Sequence, residues 1–478
     1  MKKFLVTMAA ILFLANTSSA AEKLTLNEAI ELALKNNRLI EQSAEDREAA
    51  RWNLSVVRRN SGFVLSWSSS LNRIGGRYYN INRQYHTQAK GTSSEKLYPS
   101  YLNENSNSVS LSIPLYTGGQ LENQREAARY ALNSADLNLE NSRQYVKYQA
   151  AQAYYQVLQQ KSLVSVQQQA VELLQEHLRN VEIQYEVGTV AKSDMLATSV
   201  QLSNTQQALT TAQGNYLMAV AQLNNILGLP ADTQIITSDD ITFVSYHMTE
   251  AQCLDYALMH RPDGIAAAYA VKQAEAQTDA QKSGYRPRIS AVMQGSMSGE
   301  GVLKADHNQE QWAVGFSMQW NIFDNGITSA QVRQSKAIER KAESIARQQV
   351  ETIELEVRNA YIALKTAEKN IETTATAVAQ AEEEFSIAQI RYIEGVDTNL
   401  NVMNAQEKVV ETRNNYYAAL YNYMTSRAQL EKAMGVPVEI DALIYAEAQK
   451  KGKSSPKSLE EAQVLKDEPE ELTKPFDN

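Results

Sequence analysis

The chain has little cysteine, little proline and, after its first residues, no long apolar run. Among 478 residues there are nine prolines and one cysteine, Cys253. One cysteine excludes an intramolecular disulfide, and we assign Cys253 to the apolar interior without a chemical role. Beyond residue 20 no apolar run approaches the roughly 20 residues that a membrane-spanning helix needs. If the chain enters a membrane, it must therefore do so as β-strands.

The chain also lacks the residue patterns that accompany nucleic-acid binding and catalysis. Its 46 Lys and Arg residues against 55 Asp and Glu residues give a net charge of −9, which argues against a nucleic-acid partner. The five histidines are scattered, at His86, His177, His247, His260 and His307. No His-Glu-x-x-His, Gly-x-Ser-x-Gly or phosphate-binding glycine loop occurs. We therefore expect no enzyme activity, no cofactor and no metal site.

The first 20 residues have the layout of a cleaved signal peptide. Lys2 and Lys3 precede an apolar run through Leu14, and small residues follow up to Ala20. We expect residues 1–20 to be removed and the mature chain to be exported.

What the sequence does contain is an internal repeat. Residues 153–230 align with residues 360–437 at a constant offset of 207, without a gap. Further upstream the offset is 224, so the two copies differ by an insertion of 17 residues between positions 71 and 108. A repeat on this scale predicts two similar units that pack side by side.

Each repeat is predicted to carry a long helical hairpin. No proline lies between Pro114 and Pro230, or between Pro287 and Pro437, so helices can be long. Apolar residues recur every seven positions at Val157, Val164, Val171, Leu178 and Tyr185, and again at Leu364, Ile371, Val378, Phe385 and Tyr392. This period predicts coiled-coil packing. Thr25-x-x-Glu28 and Thr249-x-x-Gln252 fit capping boxes that begin the first helix of each repeat.

Four short segments alternate apolar and polar residues instead. Their apolar residues include Phe63, Leu65, Trp67, Val109, Leu111, Ile113, Ile289, Met293, Phe316, Met318 and Trp320. Such alternation is typical of transmembrane β-strands with a lipid-facing side and a wet side, although a half-buried sheet of a soluble domain shows it too. In an exported chain, at repeat-related positions, we favour the membrane. Four strands cannot close a barrel, so subunits must share it.

The predicted organisation follows from these segments. The first repeat covers 22–230, with a first helix, strands at about 62–71 and 108–116, and a helical hairpin over 119–227. A connecting segment over 231–247 leads to the second repeat, 248–437, with a first helix, strands at about 288–297 and 313–323, and a hairpin over 326–434. An equatorial segment over 438–449 and a disordered charged tail over 450–478 follow.

The tandem strand-pair and hairpin units resemble the TolC-like outer-membrane efflux protein family, the outer membrane factors. The resemblance rests on the Tyr-x-x-Gly tips at Tyr185 and Tyr392 and on the Gly-x-Pro endings at Pro230 and Pro437, and it covers roughly Thr25 to Pro437. It implies a membrane α+β fold. Four strands from each subunit of a homotrimer would form a 12-stranded β-barrel, continued by a long periplasmic α-helical coiled-coil barrel.

The resemblance also implies a function. Members are passive outer-membrane exit ducts of a tripartite efflux pump or a type I secretion system. A periplasmic adaptor (membrane fusion) protein docks them to an inner-membrane pump of the RND, ABC or MFS type. Drugs, metal ions, peptides and proteins remain alternative cargoes, although the absence of Met or His clusters argues against a dedicated metal exporter.

Finally, the resemblance places a periplasmic gate at the helical tips. The residues carried over are Tyr185, Gly188, Ser193 and Asp194 in the first tip, and Arg391, Tyr392, Gly395, Asp397, Asn401 and Asn404 in the second. Three copies of Asp194 near an axis would favour cation binding. Asn401 and Asn404 lie at positions where well-known members have aspartates, so the resemblance does not support a second acidic ring. In the alternative interpretation, Asp194 is the N-cap of the returning helix and the two tyrosines only pack.

One other function fits the same helices. A coiled-coil envelope tether or adhesin would share the seven-residue period and conduct nothing. Such a protein has no need for apolar strand faces backed by serine, so we favour the duct.

Overall fold

The computed structural model describes residues 22–75, 101–238, 243–300 and 310–438. The predicted signal peptide and charged tail lie outside these ranges. So do the equatorial segment after residue 438 and most of the region between positions 71 and 108 that holds the insertion.

The first half of the described chain contains four strands and four helices. They are β1 (Glu22–Leu24), α1 (Leu26–Asn36), α2 (Arg38–Arg59), β2 (Val64–Gly75), β3 (Tyr101–Tyr116), α3 (Gln120–Glu186), α4 (Lys192–Leu227) and β4 (Ile235–Thr237). The second half contains α5 (Glu250–His260), α6 (Pro262–Lys282), a 3-10 turn (Ser283–Tyr285), β5 (Arg288–Glu300), β6 (Glu310–Gln319), α7 (Ile327–Ile393) and α8 (Asn399–Ala433). No described helix is apolar enough over a sufficient length to span a membrane.

The first helix of each half begins at a capping box, as the sequence predicts. The Thr25 hydroxyl accepts from the Glu28 N–H (3.4 Å), and the Glu28 carboxylate accepts from the Thr25 N–H (2.8 Å). Thr249 and Gln252 make the same reciprocal pair. Each box satisfies two helix N–H groups that have no partner within the helix.

The element bounds follow the two sequence offsets. Helices α3 and α7 each have 67 residues, and Ile327 lies 207 positions after Gln120. Strands β2 and β5 begin at Val64 and Arg288, which are 224 positions apart. The long helices form because proline is absent from them and an apolar stripe is buried along each.

Contacts divide the chain into two compact units, and each unit takes segments from both sequence repeats. Among the described residues, one unit comprises 22–47, Ala135–Ala266 without the gap at 239–242, and 347–438. It buries clusters around Tyr154 and Leu223, around Leu364 and Tyr423, and around Val181 and Tyr392. In this unit β1 and β4 pair in parallel, and Cys253 is fully buried.

The other unit, Glu48–Ser134 and Ala267–Ala346, contains a four-stranded antiparallel sheet in the order β2-β3-β5-β6. Strand β2 ends at Gly75, later than the predicted residue 71, and strand β3 begins at Tyr101, earlier than the predicted residue 108. Both strands are longer at these ends because backbone pairing continues through polar residues. Strand β6 ends at Gln319, short of the predicted residue 323.

Candidate functional site

The sheet has one apolar face and one hydroxyl-rich face. Residues paired directly across antiparallel strands point to the same side. The apolar pairs are Leu65 with Leu111, Trp67 with Val109, Ile113 with Ala291, Leu111 with Met293, Ile289 with Met318, and Ala291 with Phe316. Trp67 is 71% exposed and Phe316 is 79% exposed. Phe63 precedes β2, and Trp320 follows β6 with its indole N–H donating to the Tyr285 carbonyl (3.2 Å).

Serines occupy the opposite side of the same strands. Ser66 pairs with Ser110 and Ser68 with Ser108, and in each pair the two hydroxyl oxygens are 2.7 Å apart. Ser290 and Ser317 continue this face on β5 and β6. A sheet whose large apolar side chains are exposed on one side and whose hydroxyls lie on the other resembles a lipid-facing wall.

The first helical tip turns at a glycine. Gly188 has φ of +79°, a left-handed conformation that disfavours other residues. Its N–H donates to the Tyr185 carbonyl (3.0 Å), and the Thr189 N–H donates to the Gln184 carbonyl (2.9 Å). These two bonds form a Schellman motif that ends α3 and reverses the chain into α4.

The second tip has the same backbone geometry. Gly395 has φ of +72°, and its N–H donates to the Tyr392 carbonyl (3.0 Å). The Val396 N–H donates to the Arg391 carbonyl (2.9 Å). The Tyr-x-x-Gly sequence therefore forms the turn in both copies, since its glycine supplies the left-handed residue.

The two tip tyrosines have different surroundings. Tyr185 is 39% exposed, whereas Tyr392 is 8% exposed. The Tyr392 hydroxyl donates to the Gln184 side-chain carbonyl (2.8 Å). Burial, and secondarily the negative charge of Asp194, raises the pKa of Tyr392. Tyr392 thus packs between the two hairpins, whereas Tyr185 is exposed.

Asp194 lies in the first turn of α4 and is not its N-cap. The helix begins at Lys192, so the cap is Ala191, which offers no side-chain hydrogen bond. The N-cap interpretation of Asp194 is therefore wrong, because the helix starts earlier than the acid. Ser193 is exposed and Asp194 is half-buried. A carboxylate in the first turn is stabilised by the helix dipole.

Asp397 of the second tip is held by its neighbours. Its carboxylate accepts hydrogen bonds from the Asn401 side chain and from the Thr398 N–H (2.8 Å), and the Arg391 guanidinium lies 3.7 Å away. The Asn401 bond, then the Thr398 bond, and then the charge of Arg391 lower the pKa of Asp397. The Thr398 hydroxyl caps α8. Asn404 and Arg391 are exposed.

A buried polar junction behind the tips joins the two hairpins. The His177 Nε2 atom of α3 lies 2.7 Å from the Asn399 side-chain oxygen of α8. The Asn399 amide nitrogen donates to the Thr198 hydroxyl (2.9 Å) and to the Asp194 carbonyl (3.1 Å), both on α4. We name His177, Thr198 and Asn399 the tip junction.

The sequence predictions assigned no role to the tip junction. A signal was present, because the buried positions Val171, Leu174 and Val181 place residue 177 on the packed face of α3. Its partner Asn399 is 222 positions away, so no local pattern indicates the pairing. Among the residues that the structure describes, no three His, Cys, Asp or Glu side chains are arranged to hold a metal ion.

The chain is similar to proteins of bacterial outer membranes. A family model described as outer membrane efflux protein matches residues 29–229 and 253–436. The outer membrane efflux protein BepC of Brucella suis is 26% identical over 339 residues, which cover 68% of this chain and 71% of BepC. Outer membrane protein TolC of Escherichia coli is 24% identical over 471 residues, which cover 93% of this chain and 88% of TolC.

A solved structure shows the same fold. The outer membrane channel CmeC of Campylobacter jejuni superposes with a TM-score of 0.73, at 18% identity and 89% coverage of both chains. The family comprises outer-membrane channels and not enzymes, so the prediction that the chain is not an enzyme is confirmed. With the family model matching most of its length, this chain belongs to the outer membrane efflux protein family, as its resemblance to TolC-like proteins predicts.

Proposed function

We propose that three copies of this outer membrane efflux protein assemble into a duct through the outer membrane. The observation that carries the proposal is the four-stranded sheet, which has an apolar face, a serine face and two edge strands, β2 and β6. An unpaired strand edge in lipid costs several kcal/mol for each backbone group. Joining β6 of one subunit to β2 of the next would remove every edge, and three copies would give 12 strands.

The helical hairpins would continue this duct into the periplasm. The residues buried along α3 and α7 support coiled-coil packing, and α3 and α7 have equal lengths. The two repeats, 22–230 and 248–437, would then supply two similar sectors per subunit. A signal peptide over residues 1–20 would deliver the chain to the periplasm.

The duct would work with two partners. In this proposal a periplasmic adaptor contacts the helical hairpins, and an inner-membrane pump of the RND, ABC or MFS type supplies the cargo and the energy. In this proposal the chain itself conducts passively, since the family to which it belongs comprises channels and not enzymes. The adaptor is the partner that would open the tips.

The gate would lie where the tips of three subunits meet. Asp194 would form an acidic ring, with Ser193 beside it and the turn fixed by Gly188. The second tip would contribute Tyr392, Gly395, Asn401 and Asn404. There the carboxylate of Asp397 is already held by Asn401, Thr398 and Arg391, which favours Asp194 as the acid that faces passing cations.

Two neighbouring residues test the proposed orientation of the sheet. Trp67 lies on the apolar face and Ser68 on the serine face. A lysine on the lipid-facing side of a barrel costs about 2–4 kcal/mol at mid-membrane, whereas the wet side tolerates it. We expect Trp67→Lys to abolish the trimer and the channels in planar bilayers, and Ser68→Lys to retain both. The trimer is measured as the protein mass in detergent by light scattering.

The matched pair makes the test sharp, because both variants add the same charge at adjacent positions of β2. Equal loss in the two variants, or a wild-type protein that is monomeric and forms no channels, would contradict the proposal.

A further inference from the structure

The tip junction and the Tyr392 ring beside it bring together all four long helices of one subunit. His177 comes from α3, Thr198 from α4 and Asn399 from α8, and the Tyr392 ring of α7 lies edge-on to the His177 ring, with centroids 5.3 Å apart. His177, Thr198 and Asn399 are all buried. A buried polar group without its partner costs more than the bond itself contributes. The junction is thus a strong constraint on how the two hairpins pack.

The hydrogen bonds show that the Nε2 atom of His177 carries a hydrogen. The Asn399 nitrogen uses its hydrogens on the Thr198 hydroxyl and the Asp194 carbonyl, so the Asn399 oxygen faces His177 as an acceptor. The His177 Nε2 atom must therefore carry a hydrogen and donate it. The neutral tautomer with hydrogen on Nε2 satisfies every bond of the junction. Adding a proton at Nδ1 would place a charge and a second donor in a buried site.

The groups around His177 do little to compensate such a charge. From α7 the titratable group beside the His177 ring is Tyr392, and α8 contributes the uncharged Asn399. On α4 the acid of this region is Asp194, whose main-chain carbonyl binds Asn399 and whose charge acts on Tyr392. On α3 itself, Glu176 and Arg179 flank the histidine on the exposed side. Burial lowers the pKa of His177, and the bond to Asn399 opposes this only in part.

We propose that His177 is a positioning residue of the gate. Its neutral imidazole holds Asn399, and Asn399 holds the turn of α4 that carries Asp194, so the two tips of one subunit move together. This inference rests on the proposed function, since it takes Asp194 as a gate residue. It predicts that protonation of His177 uncouples the tips.

The sign of the pH effect follows from burial. Because the packed junction disfavours the imidazolium, the unpacked state binds a proton that the packed state does not. The packing is therefore fully stable above the ordinary histidine pKa of about 6.5 and weakens as the pH falls below it. The tips should loosen in mildly acidic solution.

Hydrogen–deuterium exchange on the purified full chain tests this directly. The amides of residues 187–191 and 394–398 report on the two tips. After correction for the intrinsic rate, we expect wild-type exchange at both tips to rise about fivefold or more between pH ~7.5 and pH ~5.5. We expect His177→Gln, which offers an N–H donor and cannot be charged, to lose this rise. His260→Gln, at an exposed histidine of α5, is the control and should keep it.

The variant Asn399→Ala tests the same junction by removing the partner of His177. It should raise exchange at both tips already at pH ~7.5, by roughly fivefold, because it leaves the His177 N–H without its buried acceptor and removes the Asn399 bond to the Asp194 carbonyl, where only the Thr198 hydroxyl bond remains. A wild-type protein with no pH response, a His177→Gln variant that responds like wild type, or an Asn399→Ala effect confined to the second tip would each overturn the inference. Exchange is measured without conduction, so failure here is distinguishable from failure to form channels.

Discussion

The two helical tips have the same backbone and different side-chain support. Gly188 and Gly395 both adopt a left-handed conformation and close the same pair of hydrogen bonds. The second tip is held from within, by Thr398 as a side-chain cap and by Asn401 and Arg391 around Asp397. The first tip has Ala191 as its cap, without a side-chain bond.

This difference makes the first tip dependent on the second. The turn that carries Asp194 accepts a hydrogen bond from Asn399, which belongs to α8. Tyr392 of the second hairpin is buried and donates to Gln184 of the first, while Tyr185 is exposed. The turn is thus the same in both repeats, because a glycine supplies its left-handed residue. The side chains around the turn make different contacts in the two tips.

The largest expected difference between the tips concerns the two tyrosines. Replacing a buried aromatic side chain by alanine costs about 3 kcal/mol or more, whereas an exposed one costs little. We expect Tyr392→Ala to lower the free energy of unfolding of the helical part by about 3 kcal/mol and Tyr185→Ala by less than about 1 kcal/mol. Urea titration followed by circular dichroism measures both. Similar losses in the two variants would mean that the tips are equivalent.

The helix caps give the next largest difference. Thr398→Ala removes a side-chain cap and should cost about 1 kcal/mol, and Ala191→Thr should add a cap and stabilise by up to about 1 kcal/mol. The same urea titration reports both changes, with opposite signs. If Ala191→Thr leaves the free energy of unfolding unchanged while Thr398→Ala lowers it, then the missing side-chain cap does not weaken the first tip, and this part of the comparison is wrong.

The smallest effect on stability, and the most informative for gating, concerns the two acids. We expect Asp194→Ala to weaken the block of single-channel current by divalent cations in planar bilayers. Asp397→Ala should leave the block unchanged, because Asn401, Thr398 and Arg391 already occupy that carboxylate. An unchanged block in Asp194→Ala would remove the acidic ring from the proposed gate, and a stronger effect of Asp397→Ala would transfer it to the second tip.

Local patterns predicted much of the architecture. Proline-free stretches, a seven-residue apolar period and a glycine at each turn determine the hairpins, and all three act over a few neighbouring residues. The capping boxes at Thr25 and Thr249 are confirmed for the same reason. The alternation of Trp67 and Ser68 places them on opposite faces of β2 because successive strand residues point to opposite sides.

The features that sequence reasoning missed depend on distant partners or on the exact first residue of a helix. The pairing of His177 with Asn399 joins residues far apart in the chain, and each alone is an ordinary polar residue. Acids are common at N-caps, but the alternative interpretation of Asp194 as an N-cap is wrong because α4 begins two residues before Asp194. The ends of β2 and β3 extend through polar residues, which have no apolar alternation to mark them.

The paired serines of the sheet have one more consequence. In a pair of hydroxyls such as Ser66 and Ser110, either oxygen can be the donor, so the direction of the hydrogen bond is reversible. A surface built from such pairs can offer a donor or an acceptor to whatever touches it, without a charge and without moving a side chain far. If this face lines the duct, its wall would accept hydrogen-bond donors and acceptors alike. Selection among solutes would then take place at the two ends of the duct.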